Sequence, residues 1–238
     1  LFVGTQEHVI VPGISAINSC TTCYPEGYQF CNGWVTEIVN VYNALTEKTW
    51  MDRNLGALRQ AQSSTDAQAY GDFFQWGRFA DGHQCRYPEM SETLDINANT
   101  SAPAPSADWY GKFITEGQNP YDWLITPDTN LWKGVNAVNN PCPSGYRIPS
   151  AAEWDAERLS WVQAPINSTN TSEGAFASPL RLPVSGYRVG SSGDPFDVGS
   201  RSYYWSSSVS GSNARYLFFD SGFADVSSYD RARGSVVR

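Results

Sequence analysis

The chain has 238 residues, a formal net charge of −8, and only 17% charged residues against 14% aromatic ones. Nine tryptophans argue against a disordered chain, and 20 glycines with 14 prolines argue against a helical bundle. The acidic balance speaks against a duplex nucleic-acid binder, and no apolar run approaches the ~18 residues of a membrane helix. One large domain, or a domain plus a small appendage, fits this length.

The chain begins at Leu1 without a Met, and reads as mature, trimmed or excised from something longer. Residues 1–33 carry Cys20, Cys23 and Cys31 among scattered Gly and Pro and show no period, so they read as an irregular extension. Three cysteines this close suit a local disulfide clip, with Cys20 or Cys23 bridged to Cys31. The other readings are a zinc site completed by His83 or Cys85, and adjacent thiols with no partner. Cys142 completes an odd set of five. Residues 34–51 hold two β-rich pieces about Asn43-Ala44, a hairpin pattern. Residues 65–80 space Ala69, Phe73, Trp76 and Ala80 at helical intervals, which predicts a short amphipathic helix. Residues 87–135 are polar and Pro-rich, yet hold Trp109, Trp123 and Trp132, so a structured long loop is expected. Ser150 and Glu153 form a capping box after Pro149 and predict a helix over 150–160, with Ala151, Trp154, Leu159 and Trp161 as its apolar surface. From Leu180 onward short apolar strands alternate with Gly, Ser and Asp turns. This predicts a meander, with 203–238 in one small sheet and Trp205, Trp154 and Leu217 in the core. The order implies an α+β fold with much irregular structure.

Catalytic patterns are weak. The histidines are His8 and His83, no G-x-S-x-G elbow occurs, and His83 beside Cys85 is explained by a shared turn. Asp52, Asp72, Asp81, Glu153 and Asp155 are read as ionic surface or caps rather than as paired catalytic acids. No phosphate loop, dinucleotide fingerprint or EF-hand is present. Sequons occur at Asn99, Asn167 and Asn170.

The stretch 187–238 has its own texture. It holds ten aromatics and thirteen serines, and its charges are all Asp or Arg, although ten Glu lie upstream. Tyr gives contact area at low entropic cost, Ser and Gly adapt, and Arg forks onto polar groups, which is the make-up of a binding surface. The plainer reading is a sheet whose aromatics are core.

Five ordered motifs carry a family resemblance: TWMDRNLGA (49–57), AYGDFFQWGRFADGHQCR (69–86), NPCPSGYRIPSAAEW (140–154), LRLPVSGYR (180–188) and YYWSSSVSGSNARYLFF (203–219). Over residues 34–238 the chain resembles the Fibrobacter succinogenes major paralogous domain, related to the formylglycine-generating-enzyme type of C-type lectin fold. The resemblance implies a C-type-lectin-like fold with two short helices, a small antiparallel sheet and long loops. Family members commonly end Val-Arg-Cys. This chain stops at Val237-Arg238, which would leave Cys142 or Cys85 without its partner.

The stretch from Tyr187 to Arg238 further resembles the variable region of diversity-generating-retroelement proteins, which display a hypermutated ligand-binding face on this fold. Adenine-directed mutation of Asn codons cannot produce Lys, Glu, Gln, Met or Trp. The first four are missing from the stretch, and its one Trp sits in the fixed-looking WSS motif. This resemblance implies a non-catalytic binding protein, without cofactor or metal, that is extracellular or at the cell surface and whose partner is a protein. The alternatives are a non-diversified adhesin module of the same fold and, with least support, a formylglycine-generating-type enzyme. That chemistry needs a C-terminal cysteine pair, and no Cys follows Cys142. The expected ligand contacts are Asp194, Phe196, Asp197, Arg201, Tyr203, Phe223, Asp225, Ser227, Tyr229, Asp230 and Arg233. They should form one exposed patch, and joint replacement of Tyr203, Phe223, Tyr229 and Arg233 by Ala should leave the melting temperature nearly unchanged.

Overall fold

The computed structural model describes residues 20–86, 91–115 and 121–238. The expectation for residues 1–33 therefore falls partly outside the described residues, and so does that for 87–135. The chain is mixed α+β, with two α-helices and several small sheets that are mostly antiparallel.

The expected hairpin forms as β1 (Asn40–Asn43) and β2 (Lys48–Met51), joined by a turn in which Glu47 has φ 53°. Residues 65–80 do not form the expected helix. A single 3-10 turn, Ala67–Ala69, is followed by β3 (Phe74–Gln75). Residues 69–81 are buried throughout, so the apolar spacing came from burial on all sides rather than from one helix face. Gly71 also breaks the run. Its φ is +71°, and a Cβ there would meet the Leu55 carbonyl at 2.5 Å.

The long segment that follows is structured where it is described. β4 (Thr93–Leu94) and β5 (Phe113–Ile114) pair in parallel over a small core of Ala98, Trp109, Ile114, Trp123, Leu124 and Leu131. Helix α1 (Ala151–Ser160) starts where the capping box predicts. The Glu153 amide donates to Ser150 Oγ, and the Ser150 amide donates to Glu153 Oε2. Its buried side carries Trp154 and Glu157 and is continued by Trp161. Leu159, expected to pack, is exposed. Glu157 accepts from Asn43 Nδ2 and Trp161 Nε1, so a buried acid does what an apolar stripe was expected to do. Helix α2 (Ser172–Ala177) follows, capped by Thr171.

β6 (Tyr187–Arg188) and β7 (Pro195–Phe196) form a short ladder. The meander proper is β8 (Ser202–Ser210), β9 (Asn213–Phe219) and β10 (Ala224–Tyr229), in the order β10-β9-β8. The expectation of one sheet through residue 238 is corrected here. β11 (Gly234–Ser235) leaves the meander and lies between β3 and β6 in the sheet β3-β11-β6-β7. Gly234 permits that insertion, because a Cβ there would come within 2.9 Å of both Arg188 and Phe113.

Alternation sorts the meander residues onto two faces. Tyr204, Leu217, Phe219, Ala224 and Val226 join Trp154 and Trp161 of the α1 region in one buried cluster. Trp205 is also fully buried, as expected. The tryptophans place their indole N–H groups on backbone carbonyls: Trp154 on Trp205, Trp205 on Phe74, Trp76 on Ser206 and Trp123 on Trp76. Buried indoles need such partners. Arg238, only 4% exposed, ties residues 236–238 inward by donating to the Met51 carbonyl and to Asn54 Oδ1.

The cysteine expectation is also corrected. Cys20 pairs with Cys23, and Cys31 pairs with Cys85, 54 residues away. With four thiols in disulfides, the zinc reading loses its cysteine ligands, and no group of three or more His, Cys, Asp or Glu among the described residues could hold a metal. Cys85 has its partner, and Cys142 is the buried free thiol. No helix among the described residues is long and apolar enough to cross a membrane.

Candidate functional site

The second face of the meander is covered around Trp205 and Ala214, which cluster with Phe74 and Trp76, and is open beside Phe218, Asp225 and Ser227. Ladder register sets Tyr203 beside Phe218, Phe218 beside Asp225, and Tyr216 beside Ser227. These residues alternate in sequence with the buried cluster, so they must point the other way. They border a cleft of about 380 Å³ lined by Arg201, Tyr203, Tyr216, Phe218, Asp220, Phe223, Asp225, Ser227, Tyr229 and Arg233.

Seven of the eleven expected contacts line this cleft: Arg201, Tyr203, Phe223, Asp225, Ser227, Tyr229 and Arg233. Asp230 lies across Tyr229 and Arg233, in a neighbouring hollow shared with Tyr121 and Tyr187. Asp197 stands behind Tyr203 and accepts its hydroxyl at 2.7 Å. Phe196 is exposed beside the cleft and packs edge-on against Tyr187. Asp194 sits on the β6–β7 turn, exposed, with its backbone amide on Ser192 Oγ, and lines neither hollow.

The cleft has an exposed rim and a buried floor. Phe223 and Tyr229 are 54% and 44% exposed, and Asp225 and Ser227 are exposed as well. Tyr203 and Arg233, at 7% and 6%, are buried. Tyr203 packs on Tyr187, Tyr216 and Phe218. Burial and the adjacent Asp197 carboxylate push its phenol well above the ordinary range. The Arg233 guanidinium carbon lies 3.6 Å from the Tyr229 ring centroid, 3.8 Å from Tyr187 and 4.9 Å from Tyr203, within cation–π range. The expectation that Tyr203 and Arg233 belong to an exposed patch is therefore corrected, because both are buried in the floor on which the rim rests. Arg201 on the rim faces Asp197 and Asp220, each at 3.5 Å.

Sequence reasoning missed Tyr216, Phe218 and Asp220. The signal was available for the first two. With Leu217 in the core, its immediate neighbours must face the opposite side.

The acids considered for catalysis have structural partners. Asp52 lies 2.6 Å from Arg53, and Asp155 lies 2.7 Å from Arg158. The hydrogen bonds from Arg147 hold the Glu153 carboxyl at about 2. Asp81 bridges Arg78 at 2.8 Å and His83 Nδ1 at 2.7 Å. Burial opposes the Asp81 charge, but Arg78 and His83 hold its carboxyl at about 2. Burial, then the charge of Arg78, lowers His83 to about 4, so the ring is neutral at pH 7. Its Nε2 accepts the Gln75 amide, and Nδ1 therefore carries the proton toward Asp81. This buried triad braces β3. Asp72 is buried against Gly56, and burial raises its carboxyl to about 7 against the pull of Arg86. Burial also pushes the Cys142 thiol up, away from the thiolate a nucleophile needs. Of the sequons, Asn99 and Asn167 are exposed, while the Asn170 amide donates to the Ala224 carbonyl. Compared with known proteins, the chain finds no matching family model, no matching curated protein and no matching solved structure.

Proposed function

We propose that the chain is a non-catalytic binding module that displays a diversified C-terminal face on a C-type-lectin-like fold, and that the cleft on the open face of the meander receives a protein ligand. One observation carries the reading. Seven of the eleven residues selected for their resemblance to a variable region line one cleft, while Leu217, Phe219, Ala224 and Val226 of the same meander form the core. A surface that changes often needs this division, because exchange on the rim must not disturb the packing beneath. Mixed Tyr, Phe, Arg and Asp side chains on a fixed sheet suit a protein partner, where a few aromatic and Arg anchors carry most of the energy. The two disulfides support an oxidising, extracellular setting.

The neighbouring DNA tests this reading. A near-repeat of the codons for 187–238 beside a reverse-transcriptase gene is expected, differing at adenines in the rim codons. If the repeat is absent, the alternative of a non-diversified adhesin module replaces this reading. Differences spread equally over Leu217, Phe219 and Val226 would overturn the division into rim and core.

A further inference from the structure

We propose that the cleft takes an acidic side chain of its polypeptide ligand, with the carboxylate received by Arg233. The proposal rests on the cleft being the binding face and adds the chemistry of the group bound there. Arg233 is 94% buried by the complement of its 6% exposure, yet it lines the cleft. The Tyr216 hydroxyl lies within hydrogen-bonding reach of it. Its Nε and Nη1 atoms have no partner among the described residues. It forms no ion pair within 4.0 Å among them either.

Two other buried arginines of the same stretch are better provided for. Arg188 donates to the carbonyls of Gly193 and Ser91 and to the Ser91 hydroxyl. Arg238 donates to Met51 and Asn54. A buried cation short of acceptors is costly until an anion reaches it.

The cleft's own acids do not fill the role. Asp220 faces Arg201 at 3.5 Å, and Asp225 faces Arg158 at 4.0 Å. Asp230 feels the Arg233 charge but stays beyond ion-pair distance. The exposed Phe223 and Tyr229 rings at the rim would cover the methylenes of an entering Glu or Asp, and charge-assisted bonds to guanidinium are the strong ones.

The test uses a random dodecapeptide library displayed on phage, selected on the full chain, with clones kept if binding is lost in the F223S/Y229S double variant. Kept peptides should share an Asp or Glu, and its change to Asn or Gln should weaken binding at least tenfold. Arg233→Met should erase the difference between the acid and amide peptides, and Arg233→Lys should retain part of it, with near-UV circular dichroism showing that both variants are folded. Acid and amide peptides that bind the unaltered protein equally would overturn the proposal, whatever the variants do. In that case, loss of binding in F223S/Y229S leaves the cleft standing as the binding face and removes only the carboxylate. Binders indifferent to F223S/Y229S, or no binders, would overturn both.

Discussion

The two faces of the β8–β10 meander share one backbone and differ in everything that side chains decide. On the helix side, Tyr204, Leu217, Phe219 and Val226 meet Trp154 and Trp161 with no room for exchange. On the open side, Phe223, Asp225, Ser227 and Tyr229 project from the same strands into solvent. The lesson is that one ladder serves both tasks. Hydrogen bonding fixes the register, and the period of two separates what must be conserved in volume from what is free to change.

The sharpest way to break the comparison is to cut into the closed face. Leu217→Ala should cost about 2–5 kcal/mol, read as a fall in the urea midpoint, because a fully buried Leu leaves a cavity among fixed neighbours. A loss below about 1 kcal/mol would mean that the closed face is loosely packed. Tyr203→Ala is the next largest effect, at about 3 kcal/mol, since Tyr203 is buried on the open side and braces Arg233. Tyr203→Phe should cost about 1 kcal/mol, the bond to Asp197 alone. The double variant F223S/Y229S should stay within about 1 kcal/mol of the parent by the same measurement, because both rings are about half exposed.

A smaller effect separates the scaffold beneath both faces from the faces themselves. Asp72 is raised from its unfolded value of 3.8 to about 7, so the folded state holds more protons and its contribution declines as pH rises from about 4 to 7. His83 is lowered from 6.5 to about 4, so its contribution is present above 6.5 and is lost as pH falls through that interval toward 4. The two oppose each other. Asp72→Asn should therefore lose stability more steeply than the parent between pH 6.5 and 4 in urea titrations. Equal slopes would show that Asp72 is ordinary in the folded state.

Local rules made α1, the β1–β2 hairpin, the meander and its Trp205 and Leu217 core legible, because each rests on a cap, a turn or an alternation within a few residues. Features set by distant contacts were not legible. Cys31 meets Cys85 across 54 residues, beyond the reach of any clustering argument. Residues 69–80 are enclosed from every side, which helical spacing imitates. Within the candidate site, the rim was reached through the resemblance to a variable region and the flanks of the apolar strand centres, but the buried floor was not. Arg233 is written like any surface cation, and only the approach of Tyr187 and Tyr229 buries it.

The anchorage of Arg238 bears on how the chain reaches this structure. Its guanidinium bonds to Met51 across a sequence separation of 187, and the Leu55 amide donates to the Val237 carbonyl. Such contacts close nearly the whole intervening chain into a loop, whose ordering entropy opposes them until much of the core is in place. Docking of residues 236–238 then belongs late in folding, and β11, inserted between β3 and β6, would be among the last strands to seat. The meander residues of the cleft between Tyr216 and Arg233 are thereby held at both ends, by the buried Trp205 before them and by Val236–Arg238 after them. A sequence change on the rim that delays the meander would be felt as a slower final closure, long before it altered the shape of the finished cleft.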